Sequence, residues 1–92
     1  MKNKHKLQLL FDNRWCWSIL LSIEGGNIRF NKIQSNLMIS RAVLSRKLLL
    51  LIQLQLVEKT IFNGIDGYQL TQKGESIIYH FKKFIDEVCK II

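Results

Sequence analysis

The chain has 92 residues, 48% of them apolar, with a formal net charge of +7 and a pI near 9.7. That suffices for one domain, residues 1–92, around a single core, and it excludes a disordered tail. No apolar run approaches the ~18 residues of a membrane span, and the basic start (Lys2, Lys4, Lys6) lacks the apolar core and small residues of a signal peptide.

Lys4 to Phe11 predicts a short helix with Leu7, Leu10 and Phe11 on one side. Asn13 is placed to cap the next helix, Arg14 to Glu24, through its side-chain oxygen. That helix carries Trp15, Ile19 and Ile23 on one stripe, with Trp17, Leu20 and Leu21 filling most of the rest. A helix apolar nearly all round belongs in the centre of a core. Gly25-Gly26 should end it with a left-handed glycine cap.

Ile28 to Phe30 reads as a short extended segment. Asn31 can then cap a helix from Lys32 to Leu37 that buries Ile33 and Leu37. Met38-Ile39 forms a turn, and Ser40 caps a helix from Arg41 to about Leu54. In that helix Leu44, Leu48, Leu51 and Ile52 follow the spacing of a buried stripe, which turns Arg41, Ala42, Ser45, Arg46 and Leu49 outward.

Leu56 to Phe62 alternates as a strand, Asn63 to Gly67 as a loop, and Tyr68 to Leu70 returns as a second strand. Thr71 caps a last helix, Gln72 to about Lys90. Its residues Ile77, Phe81, Phe84, Val88 and Ile91 recur at spacings of four and three, an a/d seam of about two heptads. Ile78, Ile85 and Ile92 widen the stripe, while Lys82, Lys83, Asp86 and Glu87 form the wet side. The seam either packs on its own domain or joins two chains; the second is preferred, since the other elements already bury most of the core. The fold class is therefore α+β and mostly helical, a winged helix-turn-helix with a two-stranded wing and a C-terminal dimerisation helix.

Charge falls unevenly on this plan. Gly25 to Val57 holds Arg29, Lys32, Arg41, Arg46 and Lys47 and no acid, with Glu24 and Glu58 just outside. Such a face points to a polyanion, duplex DNA first. The helix that Ser40 caps would enter the major groove: Arg41 and Arg46 to pair with guanine or to hold phosphate, Ser45 to bond base edges, Ala42 to touch a thymine methyl. The wing tip lacks Lys and Arg and carries Asp66, so the wing is expected to be structural, with Lys59 at most touching phosphate.

Nothing in the chain signals catalysis or a cofactor. His5 and His80 are remote from each other and from other ligands at metal-binding spacing, and no phosphate-loop, dinucleotide or zinc-protease signature occurs. Cys16 and Cys89 lie far apart without CxxC spacing, which suits a reducing cytoplasm and two plain buried thiols.

Trp15, Ile19-Leu20, Gly26, Arg29-Phe30, Ile39-Ser40, Leu44, Leu48, Leu51, Leu56-Val57 and Tyr68-Gln69-Leu70-Thr71-Gln72-Lys73-Gly74 together resemble the HxlR-type winged helix-turn-helix regulators, from about Arg14 to Ile78. The resemblance implies a bacterial or archaeal homodimeric transcription regulator whose terminal helices build the dimer. Leu7, Leu10 and Phe11 would then join Ile77, Phe81, Phe84, Val88 and Ile91 at the interface. Three departures stand out. Lys4 to Asn13 lacks the cysteine through which some relatives sense oxidants, and Cys16 is expected to be buried with a raised pKa. Gln55 replaces a usual glycine, at a cost on the order of 1 kcal/mol if the position is left-handed. Leu50, Ile52 and Leu54 stand where the family tends to be polar, which fits either extra core packing or a further contact. A protein-interaction module and an RNA or non-specific nucleic-acid binder are the alternative functions, and no small-molecule effector is legible.

Overall fold

The computed structural model describes residues 4–92, without the side chains of Lys6 and Leu7, and contains five helices and one hairpin. In chain order these are α1 (Lys4–Asp12), α2 (Arg14–Glu24), α3 (Phe30–Leu37), α4 (Arg41–Gln53), β1 (Val57–Phe62), β2 (Ile65–Leu70) and α5 (Gln72–Ile91). No helix among the described residues is long and apolar enough to cross a membrane.

The apolar spacing of α2 makes it the hub, as expected. Cys16, Ile19, Leu20 and Ile23 are buried, and the helix touches α1, α3, α4, α5 and β2. Leu10 of α1, Ile33 of α3, Leu44, Leu48 and Leu51 of α4, together with Ile39, Leu56, Val57 and Ile78, complete the core. Buried Ser22 donates to Asn36 Oδ1 at 2.8 Å, so the one buried polar side chain among the described residues has its partner on α3.

The helix ends explain the turns. At the end of α2 the Gly26 N–H donates to Ile23 O and the Asn27 N–H to Ser22 O, with Gly26 at φ +106°, a Schellman cap that needs the glycine. The end of α4 repeats the motif without one: Gln55 N–H donates to Ile52 O and Leu56 N–H to Leu51 O, while Gln55 sits at φ +63°. The left-handed conformation suspected at Gln55 is present. Buried Leu51 and Leu56 supply the apolar contact that accompanies such caps.

Four local expectations are corrected. Asn13 precedes α2 but makes no side-chain cap; its Nδ2 donates to Leu9 O at 2.7 Å and its Oδ1 accepts from Lys47 Nζ. The segment at Ile28 to Phe30 is not extended throughout, because α3 begins at Phe30 with Arg29 as N-cap, and Asn31 falls inside the first turn. The wing loop is shorter than Asn63 to Gly67. Asn63 (φ +52°) and Gly64 (φ +78°) alone make the turn, so Phe62 pairs with Ile65 and β2 starts there. That is the two-residue turn an Asn-Gly pair favours. Cys89, finally, is exposed on α5, not buried.

Ser40 and Thr71 do cap α4 and α5, accepting from the N–H groups of Val43 (3.2 Å) and Gly74 (3.0 Å). Gly74 lets α5 meet the chain leaving α4, for a β-carbon there would lie 2.0 Å from Leu56 O. Beyond this anchor only Ile78 of α5 is fully buried. The radius of gyration, 13.6 Å, exceeds the ~12 Å of a compact chain of this length because α5 extends past the core.

Candidate nucleic-acid interface

The surface is built on α4. Its buried stripe fixes the rotation of the helix, leaving Arg41, Ala42, Ser45, Arg46 and Leu49 exposed, as the apolar spacing predicts. Ser40 caps it and is itself exposed. The positive end of the α4 dipole and the Arg41 guanidinium thus share the N-terminal edge.

A cation at a helix N-terminus is unfavourable by about 0.3–1 kcal/mol, so the position of Arg41 calls for compensation. The structure supplies it from α3. The guanidinium lies 4.8 Å from the centre of the Phe30 ring and donates to Asn31 Oδ1 at 3.1 Å. Arg41 is braced in place. Neither Phe30 nor Asn31 stood out as a brace in the sequence, because only the α3–α4 geometry brings them to Arg41.

Arg46 and Lys32 are exposed and pair with no acid among the described residues. The acids that bound the basic block are engaged elsewhere. Glu24 takes Lys82 Nζ at 2.8 Å, and Glu58 accepts from Gln69 Nε2.

Three other sequence candidates stand differently. Arg29 donates to Phe62 O (3.0 Å), Ile65 O (2.6 Å) and Asp66 O (3.0 Å), closing over the hairpin turn. It clamps the wing to the start of α3 and is not a loose cation on the α4 face. Lys47 points the other way, to Asn13 between α1 and α2, because its place on the helix is beside the buried stripe. Lys59 lies 3.5 Å from Asp66, both well exposed, so the wing holds its own counter-charge.

Cys16, fully buried, has its thiol pKa raised by burial, which the nearby Lys47 ammonium partly opposes. A thiol so placed is a poor nucleophile. No group of three potential metal ligands forms among the described residues.

Along α5, Ile77 packs against the core and Phe81 stacks on Trp17 with ring centres 4.2 Å apart. Past that point the seam is uncovered: Phe84 is 64% and Ile91 85% exposed, and Val88 is half-buried. Phe11, 64% exposed, lies on the same side through its 6.0 Å contact with Trp17. Leu10 is buried in the core of its own chain, and so is removed from any interface; the side chain of Leu7 lies outside the described residues.

The architecture has solved counterparts. The reduced form of the transcriptional regulator YodB from B. subtilis is 26% identical, with 94% of this chain and 88% of that one covered and a TM-score of 0.82. A possible HxlR family transcriptional factor from Thermoplasma volcanium is 27% identical over 92% of this chain and 80% of its own, with a TM-score of 0.74. S. aureus MepR, bound to an oligodeoxyribonucleotide, shares the fold at 19% identity, with coverage of 98% and 70% and a TM-score of 0.79. No curated protein sequence is significantly similar. The HxlR-like helix-turn-helix pattern matches residues 10–91, and the chain belongs to that family.

Proposed function

We infer that the protein is a transcription regulator, and not an enzyme, that binds duplex DNA sequence-specifically as a homodimer in the cytoplasm, with α4 in the major groove. The observation that carries this reading is the outward face of α4. It presents Arg41, Ala42, Ser45 and Arg46 from the first two turns, inside a stretch without a single acid. Those residue types match base edges: Arg the guanine O6 and N7, Ser several edges, Ala the thymine methyl. The fold neighbour MepR has been captured on DNA, which shows that this architecture can seat on a duplex.

Two copies joined through Phe84, Val88, Ile91 and Phe11 would present two such helices to half-sites one helical turn apart, ~34 Å. Lys32, Arg41 and Arg46 from each copy would replace counterions at about four to six phosphates per dimer. Log K should then fall against log salt with a slope of roughly −4 to −5.

The direct test is a gel shift on the palindrome upstream of the gene, in competition with random duplex and with RNA. Operator binding that random duplex displaces poorly supports the reading. Equal competition by either polymer leaves a non-specific binder, and no useful affinity turns the chain into a protein-interaction module.

A further inference from the structure

The α4 face is basic and polar except at one point. Ala42, Ser45 and Leu49 follow at spacings of three and four and so form a single row along the helix. Arg46 borders it one turn before Leu49. All are exposed, and Leu49, at 56%, is the one large apolar side chain in the row. Its neighbours in sequence show that burial was available on this helix, for Leu48 is 2% exposed and Leu51 fully enclosed. A single exposed leucine is ordinary on a protein surface. This one stands where a polyanion would dock, and in the major groove the C5 methyl of thymine is the apolar group on offer, among edges that otherwise present donors and acceptors.

We propose that Leu49 is a specificity-determining residue that reads a thymine methyl in each half-site. The proposal rests on α4 being the recognition helix. It extends the base-reading surface into the third turn, and it gives the exposed Leu49 side chain an occupant that the charge around it already attracts. The contact adds apolar burial without a hydrogen bond, so it separates thymine from uracil and not only A·T from G·C pairs.

The experiment begins by selecting the tightest-binding duplex from a random pool with the full-length protein. That duplex is then resynthesised with deoxyuridine replacing thymine at one position per half-site at a time, which removes only the methyl. In the wild type, at least one position should weaken binding about 15-fold, about fourfold for each of the two methyls withdrawn from an apolar contact. In Leu49→Ala the thymine-to-uracil ratio at that position should fall to about one. The substitution is at an exposed site and should not disturb folding. The proposal is overturned if no position distinguishes the two bases, or if the ratio survives in Leu49→Ala. A pool that yields no preferred duplex overturns the recognition-helix reading as well. A preferred duplex indifferent to uracil overturns this proposal alone.

Discussion

Helices α4 and α5 carry similar amounts of apolar side chain and dispose of it in opposite ways. The inner stripe of α4 is wholly used by its own core, so its outer face is free to be basic and acid-free. The distal half of α5 buries almost nothing, and its seam ends in Phe84 at 64% and Ile91 at 85% exposure. One helix is complete within the chain and offers a charged surface; the other is incomplete and offers an apolar one. Under the proposed function the difference divides the labour, polyanion binding to α4 and self-association to α5.

The join between the two helices should be the most sensitive point. In Gly74→Ala the added carbon would meet Leu56 O at 2.0 Å, a backbone atom that cannot swing aside. A loss of about 3 kcal/mol or more in denaturant unfolding is expected from such overpacking. A loss under about 1 kcal/mol would mean that α5 is not locked to the end of α4.

The incompleteness of α5 is tested by Phe84→Glu. Burying a phenylalanine contributes about 1.5–3 kcal/mol, so removing it from each side of the seam should give a monomer by light scattering. The monomer should stay folded by circular dichroism, since Phe84 is largely exposed within its own chain. An unchanged dimer mass would put the interface elsewhere, and unfolding would return α5 to intradomain packing.

At the C-terminal end of α4 the expected change is smaller and favourable. Gln55→Gly relieves a left-handed side-chain residue and should stabilise by about 0.5–1 kcal/mol. The exposed hydrogen bond from Lys73 to Gln55 Oε1 is the only side-chain hydrogen bond given up there among the described residues. Destabilisation would show that this bond matters more than the backbone.

The two thiols sharpen the contrast least but cleanly. Cys89 on α5 should react quickly with a thiol reagent in the folded protein, and Cys16 inside α2 only on unfolding. Because burial raises the Cys16 pKa above its ordinary 9.0, the unfolded thiol ionises first as pH rises. Its contribution is therefore fully present below that pH and fades above it. Equal labelling rates would place Cys16 nearer solvent than its burial indicates.

Most of this architecture was legible because periodicity reports burial directly. The stripes of α2 and α4 and the caps at Ser40 and Thr71 follow from local rules, and the left-handed Gln55 showed as a departure from the family pattern. What escaped depends on contacts between distant segments. Arg29 closing over the wing carbonyls, Lys47 bound to Asn13, and the Phe30–Asn31 brace under Arg41 need the folded geometry. The wing turn is different: the Asn63-Gly64 signal is present in the chain, but Asp66-Gly67 carries turn character of its own, which makes the loop look longer in sequence than it is.

Sequence reading by the outer face of α4 is best checked at Arg46, which is exposed and free of acidic partners among the described residues. Arg46→Ala should be measured against the selected duplex and a scrambled one, with Arg41→Ala alongside. Base reading predicts a loss of about 1–3 kcal/mol on the selected duplex with little change on the scramble. Equal losses on both would make Arg46 a phosphate clamp. No loss on either duplex from either variant would contradict the assignment of α4 as the recognition helix.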